Sequence, residues 1–198
     1  MWLHAINSSH SLSKILASKP DANYCTVNWL ASQPNLCKDN LNYEKNQMRY
    51  LDDLIEACET AKLAKPVQEF IMSDLDELKN IKTAIYVITE LDGDPSKTFE
   101  AFKAFKEKTE RKCAKINHAS STLYVGSSTT GLHKRIQQHL GNGHKSTYAL
   151  HLSHWTEGRR IEIKVSEYNV SRTVLQLIED AKSSMLKPAF GKLGGNNK

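Results

Sequence analysis

The stretch Tyr124-Val-Gly-Ser-Ser-Thr-Thr-Gly-Leu-His-Lys-Arg-Ile-Gln-Gln-His139 decides how this chain can fold. Residues 121–125 have the character of a short strand, and Gly126 is expected to permit the tight turn that leaves it. Residues 130–140 then form a helix, which a glycine-rich segment ends. Arg135 and His139 are four positions apart, so a helix places them one turn apart on the same face. This pair suits a site that acts on a phosphate, because the guanidinium stays charged and binds the anion while the imidazole can move a proton.

Alternating patterns on either side of this stretch predict two further strands. In residues 81–91, β-branched and other apolar side chains alternate between two faces, and Tyr86 lies on the face shared with Ala84 and Ile88. Residues 160–165 alternate apolar with charged side chains, which indicates a strand with one face outward. A helix over 170–186 carries Glu179 and ends before Pro188. The sequence therefore predicts an α+β fold: a small, mostly antiparallel, three-stranded sheet flanked by helices.

The N-terminal part of the chain has a different character. Residues 41–63 carry apolar side chains at spacings of three and four, and Pro66 is expected to open a further helix that runs to Leu78. We therefore divide the chain into a helical N-terminal segment, residues 1–80, and a second domain, residues 81–198. A helix near 96–115 interrupts that second domain as an insertion, capped by Ser96 or Thr98.

The charge of the chain is concentrated in its second part. Residues 1–80 carry 8 Lys and Arg against 11 Asp and Glu, whereas residues 81–198 carry 19 against 11, a net charge of +8. A basic surface around an anion site fits a nucleic-acid partner. No apolar run approaches the roughly 20 residues of a membrane span, and we expect no membrane partner.

The spacing of the cysteines and histidines in the sequence predicts no metal site. None of the four cysteines forms a C-x2-C pair, so we interpret them as reduced thiols of a cytoplasmic protein. The chain start lacks a basic region followed by an apolar run, which agrees with that localisation. We expect His144, His151 and His154 to lie on the surface, because no further ligand is placed near them.

Taken in order, these elements resemble the GIY-YIG nucleases. That family has two short strands marked Gly-Ile-Tyr and Tyr-Ile-Gly, and the matching segments here are residues 84–86, with Ala in place of Gly, and residues 124–126. The family's arginine, histidine and metal-binding glutamate correspond to Arg135, His139 and Glu179. The resemblance covers roughly residues 81–198.

Two features of the chain depart from the family pattern. The asparagine that the family carries beyond its proline would fall near Gly191, so it is missing or displaced to Asn196 or Asn197. The helix over 96–113 lies where the family has a short hairpin. We expect this insertion to leave the two tyrosine strands able to pair.

The resemblance implies a metal-dependent endonuclease that hydrolyses DNA, most similar to the sequence-specific restriction enzymes of the family. Glu179 would hold one Mg²⁺ or Mn²⁺ ion per site, and Arg135 would bind the phosphate. Tyr86 and Tyr124 would be the site phenols, and the water would be activated by Tyr86 or by His139.

Further partners follow from the same resemblance. We expect four residues to contact DNA: Ser127, Ser128, Lys134 and Lys187. A restriction enzyme would have a cognate methyltransferase. A homodimer is an alternative to the monomer that the sequence leaves undecided. Residues 1–80 and the 96–115 insertion are the parts expected to read the target or to form a dimer.

Three other functions stay open. The first is a catalytically degenerate nucleic-acid-binding or scaffold protein on the same fold, which the departures at Ala84 and Gly191 favour. The second is a repair or mobile-element nuclease of the same family. The third sets the resemblance aside and leaves a basic RNA-binding domain, for which the sequence offers no aromatic stacking motif.

Overall fold

A computed structural model of the chain describes the backbone of residues 34–193 and the side chains of residues 48–193. The rest of the predicted N-terminal helical segment lies outside the described residues, as do Asn196 and Asn197. Helix α1, Pro34–Leu63, contains the helix predicted over 41–63, which is confirmed. The chain divides into two units between Asp52 and Asp53, earlier than the boundary expected after residue 80.

The second unit is built on an antiparallel sheet whose strands lie in the order β1-β4-β2-β3. The α+β class is confirmed, but the described residues form four strands rather than the three expected. Their bounds are Gln68–Ile71 for β1, Ala84–Glu90 for β2, Thr122–Ser128 for β3 and Ile161–Glu167 for β4.

The additional strand is β1, and it replaces the helix that we expected to begin at Pro66. Phe70 pairs with Val165 of β4, and Met72 N–H donates to the Ile163 carbonyl at 2.9 Å. Without β1, this side of β4 would be an open edge with unpaired backbone groups. A helix was predicted because apolar residues at 67, 70 and 71 fit its spacing. In the structure the side chains of this segment instead alternate between the two faces of a strand, with Phe70 against the core and Ile71 exposed. A short 3-10 turn, Leu75–Leu78, completes the segment.

The central strand β2 is buried on both faces, as its predicted alternation requires. Tyr86 and Ile88 face one hydrophobic cluster, and Ile85 and Val87 face the other. Helix α4, Arg172–Leu186, covers the second face through Leu175 and Ile178. Burial of each such apolar side chain stabilises the fold by about 1.5–3 kcal/mol.

The inserted helix is part of the first cluster. Helix α2, Pro95–Lys108, begins at a cap from Asp94, whose carboxylate accepts from Ser96 N–H at 2.9 Å, so the expected caps Ser96 and Thr98 are wrong. Phe102 is fully buried, and its ring centroid lies 4.1 Å from that of Phe190. The tyrosine strands nevertheless pair side by side, with Tyr86 opposite Gly126, as expected.

The motif helix is shorter than predicted. Helix α3, Leu132–Gln137, continues into a wider π turn, Gln138–Asn142, where Gly141 has φ +116°. That turn carries His139 inward, and the side chain is fully buried. Within residues 34–193, none of the helices combines the length and the apolar character needed to cross a bilayer.

Candidate functional site

Two strands and one helix bring four of the predicted residues into a single hydrogen-bonded group. Tyr86 on β2 and Tyr124 on β3 stack with their ring centroids 6.0 Å apart and their planes 11° apart. From α3, Arg135 Nε donates to Tyr86 Oη at 3.1 Å, and Arg135 Nη2 donates to Tyr124 Oη at 3.3 Å. His139 Nε2 lies 2.9 Å from Tyr86 Oη. We call these four residues the phenol network.

The missing side chain of Gly126 makes room for this network. A Cβ atom at this position would lie 2.5 Å from Tyr86 Oη and 2.7 Å from Tyr124 Cε1. Gly126 lies inside β3 and pairs with Tyr86, so the turn role expected for it is wrong. The glycine is required by the close approach of two phenols.

His139 is buried behind Tyr86, and both of its ring nitrogens are engaged. Leu150 N–H donates to His139 Nδ1 at 3.4 Å, so the neutral ring carries its proton on Nε2 and donates it to Tyr86 Oη. Burial, and then the nearby Arg135, lower the pKa of His139 well below its usual value. In this arrangement His139 is a neutral donor that orients Tyr86.

The two phenols differ in their access to solvent. Tyr86 is fully buried, whereas Tyr124 is partly exposed. Burial raises the pKa of both phenols; the Arg135 cation opposes this rise and Glu179 adds to it. Tyr124 is therefore the phenol through which the network reaches water.

Arg135 is largely occupied by acceptors of the protein itself. A guanidinium has five N–H groups. Besides the two phenols, Arg135 Nη1 donates to Gln138 Oε1 at 3.0 Å and to the Tyr148 carbonyl at 3.2 Å. One N–H on Nη2 is left, so Arg135 can offer a phosphate a single hydrogen bond rather than a two-pronged clamp.

Glu179 approaches the edge strand β3 from the other face of the sheet. Ser127 Oγ donates to Glu179 Oε2 at 2.5 Å, and Ser127 projects away from the face that carries Tyr124 because successive strand residues alternate. Burial, and then the neighbouring Asp180, raise the pKa of Glu179, while the Ser127 bond and Arg135 lower it. The carboxylate and the phenol network thus flank one strand.

Residues 48–193 hold no group of three or more His, Cys, Asp or Glu side chains arranged for a metal ion. The expected site is of a different kind, since Mg²⁺ commonly uses one or two carboxylates together with water and substrate phosphate. Glu179 fits that donor set. Burial raises the pKa of Glu179 and so disfavours its ionised form. A cation bound beside the carboxylate would favour that form.

A cleft of about 460 Å³ opens beside the network at the end of β3. Residues 127–131 and α3 form one wall, and α4 forms the other. Of the predicted DNA contacts, Ser127, Ser128 and Lys134 line this cleft together with Arg135. Lys187 does not line it; this exposed residue ends α4 with φ +46°.

The sequence did not lead us to the two lining residues on α4. Arg172 and Gln176 face the cleft from α4, and Gln176 Nε2 donates to Asp180 Oδ1 at 3.0 Å. They precede Glu179 by seven and three positions, a spacing that places all three on one side of a helix. That periodicity, counted back from Glu179, was the signal available in the sequence.

The structure also bears on the position of the missing asparagine. Gly191 has φ +102°, and a Cβ atom there would lie 2.7 Å from the Tyr124 ring, so an asparagine would displace Tyr124. Asn117 lies next to this segment instead. Its side-chain amide donates to the carbonyls of Pro188 and Gly191, each at 3.1 Å.

The histidine segment is only partly as expected. His144 and His154 are exposed, but the surface prediction is wrong for His151, which is fully buried. His151 Nε2 lies 3.2 Å from the Lys112 carbonyl. The packing of this loop against α2 buries the ring.

Comparisons of the chain with protein-family models, with curated proteins and with solved structures gave no match.

Proposed function

We propose that the protein is an endonuclease that hydrolyses DNA phosphodiester bonds with the help of one divalent metal ion. The observation that carries the proposal is the convergence of the phenol network and Glu179 on edge strand β3, next to a basic cleft. Residues far apart in the sequence come together there, and they supply a cation, two phenols and a carboxylate.

The cleft would hold the substrate phosphate. Ser128, Lys134 and Arg135 line it, and Arg135 has one N–H group left on Nη2. Hydroxyl and ammonium groups are ordinary partners of phosphate oxygens. Ser127 would keep the Glu179 carboxylate in place through its short hydrogen bond.

Proton transfer in this proposal belongs to Tyr124. Its side chain is the partly exposed one of the two phenols, and as a phenolate it would accept a proton from the attacking water. Burial raises its pKa and Arg135 only partly opposes the rise, so the phenolate needs a second positive charge nearby. A Mg²⁺ or Mn²⁺ ion at Glu179 would supply that charge and stabilise the negative charge that develops on the phosphate.

Tyr86 and His139 would act behind Tyr124. Both are fully buried, so neither meets solvent directly. Together with Arg135 they fix the stacked phenols in one geometry, and such fixed positioning is a large part of catalysis. We therefore assign them a positioning role.

We further propose that the enzyme is a sequence-specific, restriction-type nuclease acting in the cytoplasm. Arg135 and His139 lie one turn apart, as in the restriction enzymes that the sequence resembles. A methyltransferase of the same specificity would then accompany it.

A second candidate function is a DNA-binding protein without catalysis. Two observations favour it: four of the five N–H groups of Arg135 are used within the protein, and a phenol that could activate water is fully buried. This protein would retain the basic cleft and would bind DNA with or without metal.

The deciding experiment incubates the purified chain with supercoiled plasmid and with unmethylated phage DNA, in Mg²⁺ or in EDTA. Discrete Mg²⁺-dependent fragments support the restriction-type nuclease, and nicking or smearing supports a nuclease of another kind. DNA that is retarded in a gel but never cut supports the second candidate and overturns the proposal.

A further inference from the structure

Arg172 is a cleft residue that neither the fold nor the phenol network uses. It lies in the first turn of α4, its side chain is exposed, and it lines the cleft. Among the ion pairs of the described residues, none involves Arg172 or Lys134. These are the two cations of the cleft that are available to a ligand.

The charge of the cleft indicates an anionic ligand. Three of its lining residues are basic, and none of those that the structure describes is acidic. Arg135 is committed to Tyr86, Tyr124 and other acceptors, so it contributes little more than one hydrogen bond. Lys134 extends from the α3 wall and Arg172 from the α4 wall, so the phosphates of a strand in the cleft would meet positive charge on both walls.

The position of Arg172 relative to Glu179 indicates which phosphate it would bind. Seven residues along a helix correspond to about 10.5 Å. Successive nucleotides of one strand advance about 3.4 Å along the duplex axis, so this distance corresponds to about three nucleotides. A strand that runs along α4 would therefore place a different phosphate at Arg172 from the one that is cut beside Glu179.

We infer that Arg172 binds a backbone phosphate about three nucleotides from the cleavage point and so fixes the register of the DNA in the cleft. The inference rests on the proposed function. A guanidinium suits this task because it stays charged and can hold two phosphate oxygens at once. Because the contact is with the backbone, it carries no sequence information of its own.

The test compares Arg172→Ala with Lys82→Ala, which removes one positive charge from an exposed position just before β2 that does not line the cleft. DNA affinity is measured by fluorescence anisotropy in EDTA over a range of salt concentrations, and cleavage is measured in Mg²⁺. Thermal melting checks that both variants are folded.

We expect Arg172→Ala to weaken DNA binding about tenfold and to lower the slope of log affinity against log salt by about one. The cleavage rate at saturating DNA should change less than about twofold, since the lost contact is made equally before and during the reaction. Arg172→Lys should keep the salt slope, because its charge is retained.

Two results separate the inference from the proposed function. If wild-type protein binds and cuts DNA, and Arg172→Ala matches Lys82→Ala in affinity and salt slope, the inference about Arg172 is overturned and the nuclease stands. If wild-type protein neither binds nor cuts DNA, the proposed function itself is overturned.

Discussion

At the scale of single residues, the buried oxygen of Tyr86 receives two hydrogen bonds. Arg135 Nε–H and His139 Nε2–H both donate to it, and neither donor has another partner of comparable geometry in the site. Tyr124 Oη receives one such bond, from Arg135, and its side chain is partly exposed. The two phenols should therefore differ in their contribution to stability.

We predict that Tyr86→Phe lowers the free energy of unfolding by about 1–3 kcal/mol, because it removes the acceptor of a buried donor on His139 and of a partly buried donor on Arg135. Tyr124→Phe should cost less than about 1 kcal/mol, because water can replace the lost acceptor. Urea unfolding of both variants measures the difference. Equal losses in the two variants would show that the second donor to Tyr86 Oη contributes nothing.

The carboxyl group of Glu179 should destabilise the protein in the absence of metal. Its pKa is raised on folding, first by burial, so the folded protein holds the proton more tightly than the unfolded chain does. Stability therefore falls as the pH rises through the window between the usual pKa and the raised one.

We predict that Glu179→Gln raises the melting temperature at pH 7.5 in EDTA by a few degrees, where about 1 kcal/mol corresponds to about 2–4 °C. The gain should shrink as the pH falls toward the usual glutamate value of 4.5. Asp180→Asn is the matched control on the neighbouring residue. A variant that melts below wild type at neutral pH would contradict a raised pKa.

At the scale of secondary-structure elements, β3 brings the two halves of the site together. Tyr124 and Gly126 lie on the face of the network, and Ser127 on the other face holds Glu179. The strand can do this because Gly126 leaves space for the phenols, and because β3 is an edge of the sheet.

We predict that Gly126→Ala destabilises the protein by about 1–3 kcal/mol, which is typical of forcing extra atoms into a packed site. The displaced phenols should also abolish cleavage. Urea unfolding and a plasmid cleavage assay measure the two effects. Wild-type stability together with wild-type cleavage would mean that the close approach of Gly126 to the phenols is unimportant.

The elements differ in how far the sequence could predict them. Alternation identified β2 and β4, the stretch around Tyr124 identified β3, and the spacing of Arg135 and His139 correctly placed them on one side of a helix. The short strand β1 was missed because its apolar residues fit a helix as well as a strand, and only pairing with β4 decides between them.

The detailed contacts of the site could not be predicted in the same way. The Tyr148 carbonyl and Leu150 N–H, which hold Arg135 and His139, belong to a loop whose path depends on tertiary packing. The same packing buries His151. No local pattern in the sequence specifies such contacts, since they involve backbone groups that every residue carries.

At the scale of the whole molecule, the sheet and the site lie within one unit. The chain divides between Asp52 and Asp53, and every strand found within residues 34–193 follows that point. The part of α1 beyond the division packs Ala57 and Ala61 against the cluster under α4. The core of this unit therefore needs residues from 53 onward.

We predict that a fragment of residues 53–198 folds cooperatively and still nicks plasmid DNA in Mg²⁺. Thermal unfolding followed by circular dichroism measures the first property, and gel electrophoresis of the plasmid measures the second. The full chain serves as the control. A fragment that shows no cooperative transition would place essential core contacts before residue 53.

The most direct test of the central claim is cleavage of supercoiled plasmid by wild-type protein, Glu179→Gln and Asp180→Asn, each in Mg²⁺ and in EDTA. The account predicts cleavage by wild type in Mg²⁺ alone and near-normal cleavage by Asp180→Asn. Glu179→Gln should cut about 1000-fold more slowly, because a metal ion contributes several kcal/mol of charge stabilisation. Folded wild-type protein that leaves the plasmid intact in Mg²⁺, or a Glu179→Gln variant that cuts as fast as wild type, would contradict it.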